Sequence, residues 1–410
     1  MQILNNNELS ILFIGTLVPD THEFHNQAFS NSGNLVQEGV VDGLLKQGVQ
    51  VDILSSQPIP SFPRSKILIC KRKKINYKDK SIIKTLPGIN ILFIRELMRG
   101  LSALFLIIMW SIKNKVKRRC IIQYGVYSPP APILHFACKI TKCKYVSVLY
   151  DLGLPPKNLK LGSGRNFIYS LVDFFSKIVI PKMDGRIVIN ENVSNDYAPN
   201  QHYLLIDGAV GNKVISKLFD IEYKIVDNDK TIFLCAGALW PINGTRVVLD
   251  ALKINLNSKI EVWFAGRGVD LELIQEAAKQ DQRIKYLGML NLDELFLYYK
   301  KSDVLMNIRI DEDDSLRYLF PSKFFEYLAT GKCVLTTKVA HLARDYGELC
   351  TVLPDWSSST LSNYMDEISK ISKDDLYIRG RKAREYMLKN RTWDVRSIQI
   401  KNYIEEYVFN

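Results

Sequence analysis

Acidic residues are scarce where basic ones are dense. Between positions 64 and 119 only Asp79 and Glu96 stand among 16 Lys and Arg. The formal net charge of +12 is therefore a local property: residues 1–200 carry 26 basic and 13 acidic side chains, the remainder 29 and 30. That distribution excludes a uniformly basic, histone-like binder. The basic segment also lacks a nucleic-acid motif or an interleaved aromatic platform, so no nucleic-acid partner is expected. Cysteine is sparse, and its seven copies (Cys70, Cys120, Cys138, Cys143, Cys235, Cys333, Cys350) are odd in number and scattered. They suit reduced, buried thiols in a cytoplasmic protein and not a disulfide scaffold. His135, Cys138 and Cys143 lie close in sequence without a nearby fourth ligand, which favours helix packing over a metal site. The start MQILNNNELS has no basic stretch followed by an apolar one, so no signal peptide is expected. The uninterrupted apolar run Ala103–Trp110 has eight residues, far short of the ~20 that cross a bilayer. No tandem repeat or low-complexity tract is visible.

What remains is a chain of 410 residues, 47% hydrophobic and 24% charged, long enough for two globular domains. Short apolar runs alternate with segments of helical spacing. The first half reads SILFIG (10–15), VQVDILSS (49–56), CIIQYG (120–125), KYVSVLYD (144–151), GRIVIN (185–190) and YLLIDG (203–208) as strands, with a helix over LVQEGVVDGLLKQG (35–48). Residues 211–230 are polar and poor in strand signals. The pattern then restarts with TIFLCAG (231–237), KIEVWFAG (259–266), RIKYLG (283–288), DVLMNI (303–308) and KCVLTT (332–337). Near-continuous apolar runs imply parallel strands covered on both faces. The expected fold class is therefore α/β, with two Rossmann-like doubly wound domains facing a central cleft. The boundaries read as 1–210 and 211–389, with a C-terminal helix over 390–410 packing back on the first domain. Ligands of such sheets bind beyond the carboxyl ends of the strands.

The segment LSALFLIIMWSI (101–112) admits two readings. It is a buried helix preceding CIIQYG, or a helix lying at a membrane surface, flanked by Arg95, Arg99 and KNKVKRR (113–119) with Trp110 at one end. Both hold if only one face is exposed.

Chemistry concentrates in DVLMNIRIDEDDSLRYLFPSKFFEYLATGKCVLTT (303–337). Pro321 before Ser322 suits a helix start, with Ser322 as cap or first-turn residue. Backbone N–H groups and the helix dipole there favour an anion. Lys323 in the first turn opposes the dipole unless an anion neutralises it. Glu326, four residues after Ser322, faces the same side and can accept both hydrogen bonds of a ribose diol. An ordinary amphipathic helix with a solvated Lys–Glu pair is the competing reading of the same residues. The run DEDD (311–314) reads as solvated loop carboxylates, and no metal is assigned.

The segment FPSKFFEYLATGKCVL resembles the donor-binding signature of the retaining nucleotide-sugar transferases of glycosyltransferase family 4, in particular bacterial capsule, exopolysaccharide and O-antigen enzymes. The resemblance continues through ILFIG, LVQEGVVDGLLKQG, AGALWPINGTRVVLDAL (236–252), FAGRGVDLELI (264–274), the stretch Asp293–Asp303, the pair Asn307 and Arg309, and NRTWDVRSIQIKNYI (390–404). It implies the GT-B fold and retaining sugar transfer from a nucleotide diphosphate sugar without metal or other cofactor. It further implies that Glu326 binds the donor ribose, that Ser322 and Lys323 hold the diphosphate, and that Arg309 is a second cation on the leaving group. The turn Leu287–Leu290 would meet the base through backbone groups. Gly15 permits close approach of donor or acceptor, and Gly237 is placed with the donor. Asp151 would position the acceptor hydroxyl or the sugar, with a loop or N-cap carboxylate as the alternative. His22 and His25 fall in the loop after the first strand, where they either line the cleft or are solvated, as loop histidines more often are.

Two departures from the family pattern stand out. Tyr318 takes the place of a frequent Glu, and Ala238 and Asn243 take the places of a frequent Arg and Lys. They leave open a catalytically silent scaffold or partner subunit at the membrane. The expected partners are a nucleotide sugar, a lipid-linked oligosaccharide acceptor, and an anionic membrane surface met through residues 64–119. The expected location is the cytoplasmic face of the cell membrane.

Overall fold

The computed structural model describes residues 8–19, 30–78, 81–92, 94–150, 152, 163–219, 229–314 and 316–410. The chain divides into two compact units, Met1–Ala209 with Trp393–Asn410, and Val210–Thr392.

In the first unit the strands are β1 (Leu9–Gly15), β2 (Gln50–Ser55), β3 (Ile69–Cys70), β4 (Lys74–Asn76), β5 (Ile82–Thr85), β6 (Gly88–Ile89), β7 (Arg118–Tyr124), β8 (Lys144–Leu149), β9 (Gly185–Val188) and β10 (Leu204–Leu205). Eight of them form a sheet of order β10-β9-β8-β7-β1-β2-β5-β4. It is parallel except where β4 returns along β5. β3 and β6 make a separate antiparallel ribbon. The helices are α1 (Asn31–Lys46), α2 (Ile94–Lys113), α3 (Ala131–Thr141), α4 (Ser163–Val179) and α5 (Glu191–Tyr197). Every residue of β1 is buried, as a central parallel strand requires. The chain leaves β1 toward β2 and then reverses to β7, β8 and β9. Right-handed crossovers therefore put α1 on one face of the sheet and α3 and α4 on the other. α2 packs on α3, and α3 on α4.

The second unit is a six-stranded, wholly parallel sheet. Its strands are β11 (Thr231–Ala238), β12 (Ile260–Arg267), β13 (Ile284–Tyr286), β14 (Val304–Asn307), β15 (Cys333–Thr337) and β16 (Thr351–Leu353), in the order β13-β12-β11-β14-β15-β16. Its helices are α6 (Asn212–Phe219), α7 (Thr245–Ile254), α8 (Leu271–Gln280), α9 (Leu292–Lys301), α10 (Lys323–Thr330), α11 (Leu342–Tyr346), α12 (Ser358–Ser369) and α13 (Lys373–Asn390). Phe233, Val262, Phe264, Val304 and Leu335 from the strands meet Leu249, Ile274 and Leu361 from the helices in one core. The order of strand addition reverses between β11 and β14, which pair in parallel, and the carboxyl ends of β11 and β12 carry the candidate site.

The last helix, α14 (Trp393–Tyr403), belongs to the first unit and packs on α1. Contact is close because α1 offers glycines there. A Cβ on Gly39 would stand 2.1 Å from Trp393 Cδ2, and one on Gly43 2.4 Å from Ser397 Cβ. Arg396 of α14 is buried and ion-paired with the buried Asp207.

Several elements differ from the sequence expectation. The run 390–404 is not one helix: α13 stops at Asn390 and α14 starts at Trp393. Between them the Arg391 carbonyl accepts from Val210 N at 2.7 Å and Thr392 bridges to Val210, so backbone pairing replaces a helical turn. α2 begins at Ile94, well before the apolar run. α1 begins at Asn31, where the Ser30 side chain accepts from Gly33 N at 3.1 Å and caps the helix. Trp110 is no surface anchor. It is 8% exposed, and its indole N–H donates to Asp52 Oδ2 at 3.0 Å.

Candidate active site

A cleft of about 640 Å³ opens at the carboxyl ends of β11 and β12. Its floor is backbone: Ala236, Gly237 and Ala238 from β11, then Ala265, Gly266 and Gly268 around the end of β12. Gly266 has φ +129, and a Cβ there would lie 1.8 Å from the Gly237 carbonyl oxygen. Only glycine lets the two strand ends come so close. Apolar walls come from Trp240, Leu271, Met289, Leu290 and Leu295. The turn carrying Met289 is tied to β12, with Gly266 N donating to Gly288 O at 2.9 Å and Tyr286 Oη to Gly266 O at 2.8 Å. Both charged residues of the lining, Arg267 and Lys323, are cationic.

Lys323 is the first residue of α10. Its ammonium reaches the end of β11, donating to Ala236 O at 3.0 Å, a carbonyl that also accepts from Tyr327 Oη at 2.8 Å. Burial pushes the Lys323 amine below its ordinary value, and Arg309 adds to that while Glu326 opposes it. A part-buried amine facing a carbonyl gains from an added anion. Ser322 occupies the N-cap position in helical backbone geometry, and its side chain caps nothing. The helix is held instead by its aromatic residues. Phe320 stacks on Phe325 with ring centroids 5.5 Å apart and on His341 at 4.8 Å, and Phe324 meets Tyr346 edge-on at 5.4 Å. The three phenylalanines of FPSKFFEY are therefore anchors, and the polar residues beside them are aimed by that packing.

Glu326 accepts from the phenol of Tyr299, at 2.7 Å to Oε1. Tyr299 is 1% exposed, and burial, with Glu326 beside it, raises its pKa well above the ordinary value. The phenol is thus a fixed donor that orients one carboxylate oxygen.

Arg309 follows β14 on a backbone clamped by β15. Thr337 Oγ1 accepts from Arg309 N at 2.8 Å and donates to Arg309 O at 2.9 Å, while Thr336 Oγ1 accepts from the Asn307 side-chain amide at 2.9 Å and donates to Asn307 O at 3.0 Å. The guanidinium donates to the side-chain oxygen of Asn243, whose amide donates to Ala238 O at 2.6 Å. Burial lowers the Arg309 pKa, and its Nε is buried without a partner. An unsatisfied guanidinium donor beside a cationic cleft is a place for an anionic oxygen.

Of the residues singled out in sequence, Gly237 and Lys323 line the cleft. Arg309 and Glu326 act electrostatically on Lys323 without entering the lining, and Ser322 is exposed beside it. Gly15 lies in the other unit, where the close approach it permits is made by the Gln37 side chain of α1. Asp151, His22 and His25 fall outside the described residues. In the DEDD run, Asp311 accepts from Leu316 N at 2.8 Å and Asp314 pairs with Arg317. Among the described residues no cluster of His, Cys, Asp and Glu is arranged to hold a metal ion. Sequence reasoning did not find Tyr299, Arg267 or Trp240. Tyr299 was visible only as an apolar-stripe position of α9 beside Phe296.

Residues 230–371, which include the cleft and α10, match the sequence profile of the family described as glycosyl transferases group 1. No curated protein sequence matches the chain. Among solved structures, the chain is similar to a sucrose-phosphate synthase from Thermosynechococcus elongatus at 13% identity and TM-score 0.64, covering 97% of this chain and 99% of the other. It is similar to the catalytic domain of starch synthase IV from Arabidopsis thaliana bound to ADP and acarbose at 10% identity and TM-score 0.65, covering 98% and 100%. It is also similar to HepE of Anabaena in complex with UDP at 12% identity and TM-score 0.61, covering 97% and 99%. These likenesses concern the fold: the chain has the α/β, two-unit Rossmann-like architecture of GT-B glycosyltransferases.

Proposed function

We propose that this protein is a glycosyltransferase that uses a nucleotide diphosphate sugar as donor. The observation that carries the reading is the cleft at the ends of β11 and β12, with a glycine floor, only cationic charge, and a place inside the segment matching group 1 glycosyl transferases. In this reading Lys323 and Arg309 bind the diphosphate, with Ser322 and Arg267 at its edge. Glu326, oriented by Tyr299, accepts from the ribose hydroxyls, and the turn Leu287–Leu290 meets the base. Gly237 lets the donor approach the backbone.

The acceptor is proposed to be a hydroxyl of a lipid-linked glycan in surface-polysaccharide synthesis, at the inner face of the cell membrane. Transfer proceeds with retention: the bond from the anomeric carbon to the diphosphate breaks, and a bond to the acceptor oxygen forms on the same face. The acceptor proton passes to the departing phosphate. Charge on that phosphate is met by Lys323, Arg309 and the start of α10, positioned before the reaction. No metal is assigned to the step.

A catalytically silent scaffold is favoured by Tyr318, Ala238 and Asn243. Against it, Asn243 holds the Arg309 guanidinium, so the turn that lacks its usual cations has one brought to it. Calorimetric titration with UDP, GDP, ADP and dTDP, followed by incubation with the matching sugar nucleotides, separates the readings. Saturable binding of one nucleotide with slow hydrolysis of its sugar conjugate is expected; absence of both leaves the scaffold.

A further inference from the structure

The outer surface of α2 inverts the usual rule for a helix on a globular protein. Its exposed positions are Ile94, Leu97, Leu101, Phe105, Met109 and Ile112, followed only by Lys113. Their spacing of three and four residues draws a single apolar stripe along the solvent side. Phe105 and Ile112 are 62% and 61% exposed. Apart from the terminal Lys113, the charged residues of the same helix are turned away from this stripe. Glu96 and Arg99 are buried and paired at 3.0 Å, and Arg99 also donates to Gln57 O at 2.6 Å and Ser128 Oγ at 3.0 Å. The inner face is thus occupied by Ala103, Ile107, Trp110 and this ion pair, which leaves the outer stripe exposed among the described residues of its unit.

The neighbouring helices extend the surface. Phe136 and Ile140 are the exposed apolar residues of α3, and Leu171 and Phe174 are exposed on α4. Side-chain rows on three adjacent helices exceed what scattered surface hydrophobes produce. No described helix is long and apolar enough to cross a membrane, so insertion as a span is not available to this face.

Charge identifies the occupant. Lys113 and Lys115 follow the stripe at the end of α2, Lys139 and Lys142 stand at the end of α3, and all four are exposed. Arg64, Lys66, Lys71 and Arg72 are exposed on either side of β3, whose partner β6 packs on α2. Other cations of the basic segment are spent internally: Lys78 on Asp42, Lys84 on Asp52, Lys117 on Glu8. Arg64 and Lys66 stand near the start of the apolar helix, where Phe62 bridges Ile91, and Lys113 and Lys115 stand at its end. A lipid surface that is apolar below and anionic at its headgroups matches that order, whereas an apolar protein partner leaves the lysines unused.

We infer that α2, with α3 and α4 beside it, seats the protein on an anionic bilayer, with the Phe105 stripe among the acyl chains and the flanking Lys and Arg at the headgroups. This rests on side-chain exposure and charge and not on the nucleotide reading, so either can fail alone.

The test is co-sedimentation of the full chain with phosphatidylglycerol-containing and with pure phosphatidylcholine vesicles, at low and high salt. Wild-type protein is expected on the anionic vesicles, with binding weakened by salt and much lower on the neutral ones. The double variant Phe105→Glu, Ile112→Glu is expected to bind about tenfold or more weakly, and Lys113→Glu with Lys139→Glu to lose the preference for anionic lipid. Far-UV circular dichroism and the thermal midpoint, unchanged in these surface variants, report that folding is intact. Failure of the wild type to bind either vesicle overturns the inference, as does equal binding by Phe105→Glu, Ile112→Glu. So does a dimer in light scattering that these substitutions dissolve without any vesicle binding, which assigns the face to a second copy.

Discussion

At the scale of single residues, the candidate site holds its two cations part-buried. Lys323 and Arg309 are both driven down by burial, so each is held at an energetic cost that an anionic ligand relieves. Lys323→Ala or Arg309→Ala is therefore expected to lower turnover by about 10²–10³ with little change in circular dichroism; near-normal turnover in both removes the phosphate assignment. Tyr299 is a positioning residue, acting through Glu326. In Tyr299→Phe the carboxylate keeps its charge and loses its fixed donor, and a hydrogen bond to a charged group is worth ~1.5–3 kcal/mol. The expected result is a donor KM raised roughly tenfold with kcat changed far less. A purely structural tyrosine would instead lower the thermal midpoint and leave KM alone. In sequence, Ser322, Lys323 and Glu326 were legible because their spacing and their Pro321 start sit in ten consecutive residues. Tyr299 was not, because its partner is 27 residues away and meets it only through the packing of α9 against α10.

At the scale of elements, the strands were the most legible feature. Parallel strands buried on both faces write themselves as apolar runs, and each such run in the second half became a strand of the six-stranded sheet. Element ends were less legible. The break between α13 and α14 depends on a backbone bond from Val210, some 180 residues earlier, that no local pattern carries. The packing of α14 on α1 has the same character, since Gly39 reads as a weak point of α1 until Trp393 is placed against it. Gly39→Ala raises helix propensity locally, yet its methyl must displace the indole. It is expected to destabilise the first unit by ~1–3 kcal/mol, measured as a lower urea midpoint. A gain in stability would show that the helices separate without penalty. The apolar run 101–112 stands between these cases. Its helix was expected, but which of its faces is exposed follows from where Arg99 finds Gln57 and Ser128.

At the scale of the whole molecule, the chain is two compact units, each of a size that can fold cooperatively. Nucleotide bound only in the second unit should stabilise that unit alone. At a hundredfold excess over Kd the nucleoside diphosphate that binds is expected to add ~2.7 kcal/mol to it. Calorimetry would then show one transition moved upward and the other unmoved, whereas an equal shift of both would place the ligand elsewhere. The charge asymmetry belongs to this scale too. By itself the sequence determined that the fold is α/β with parallel sheets, because the periodicity of buried strands is a local, additive property. It also determined that the positive charge is confined to one segment, because counting needs no coordinates. Only the tertiary structure decided which of those charges are free and which are consumed by Asp42, Asp52 and Glu8. It alone turned the apolar stripe of α2 outward and put Tyr299 against Glu326. Those outcomes depend on which distant residues come within a few ångströms of each other, and contact of that kind is a property of the packed chain.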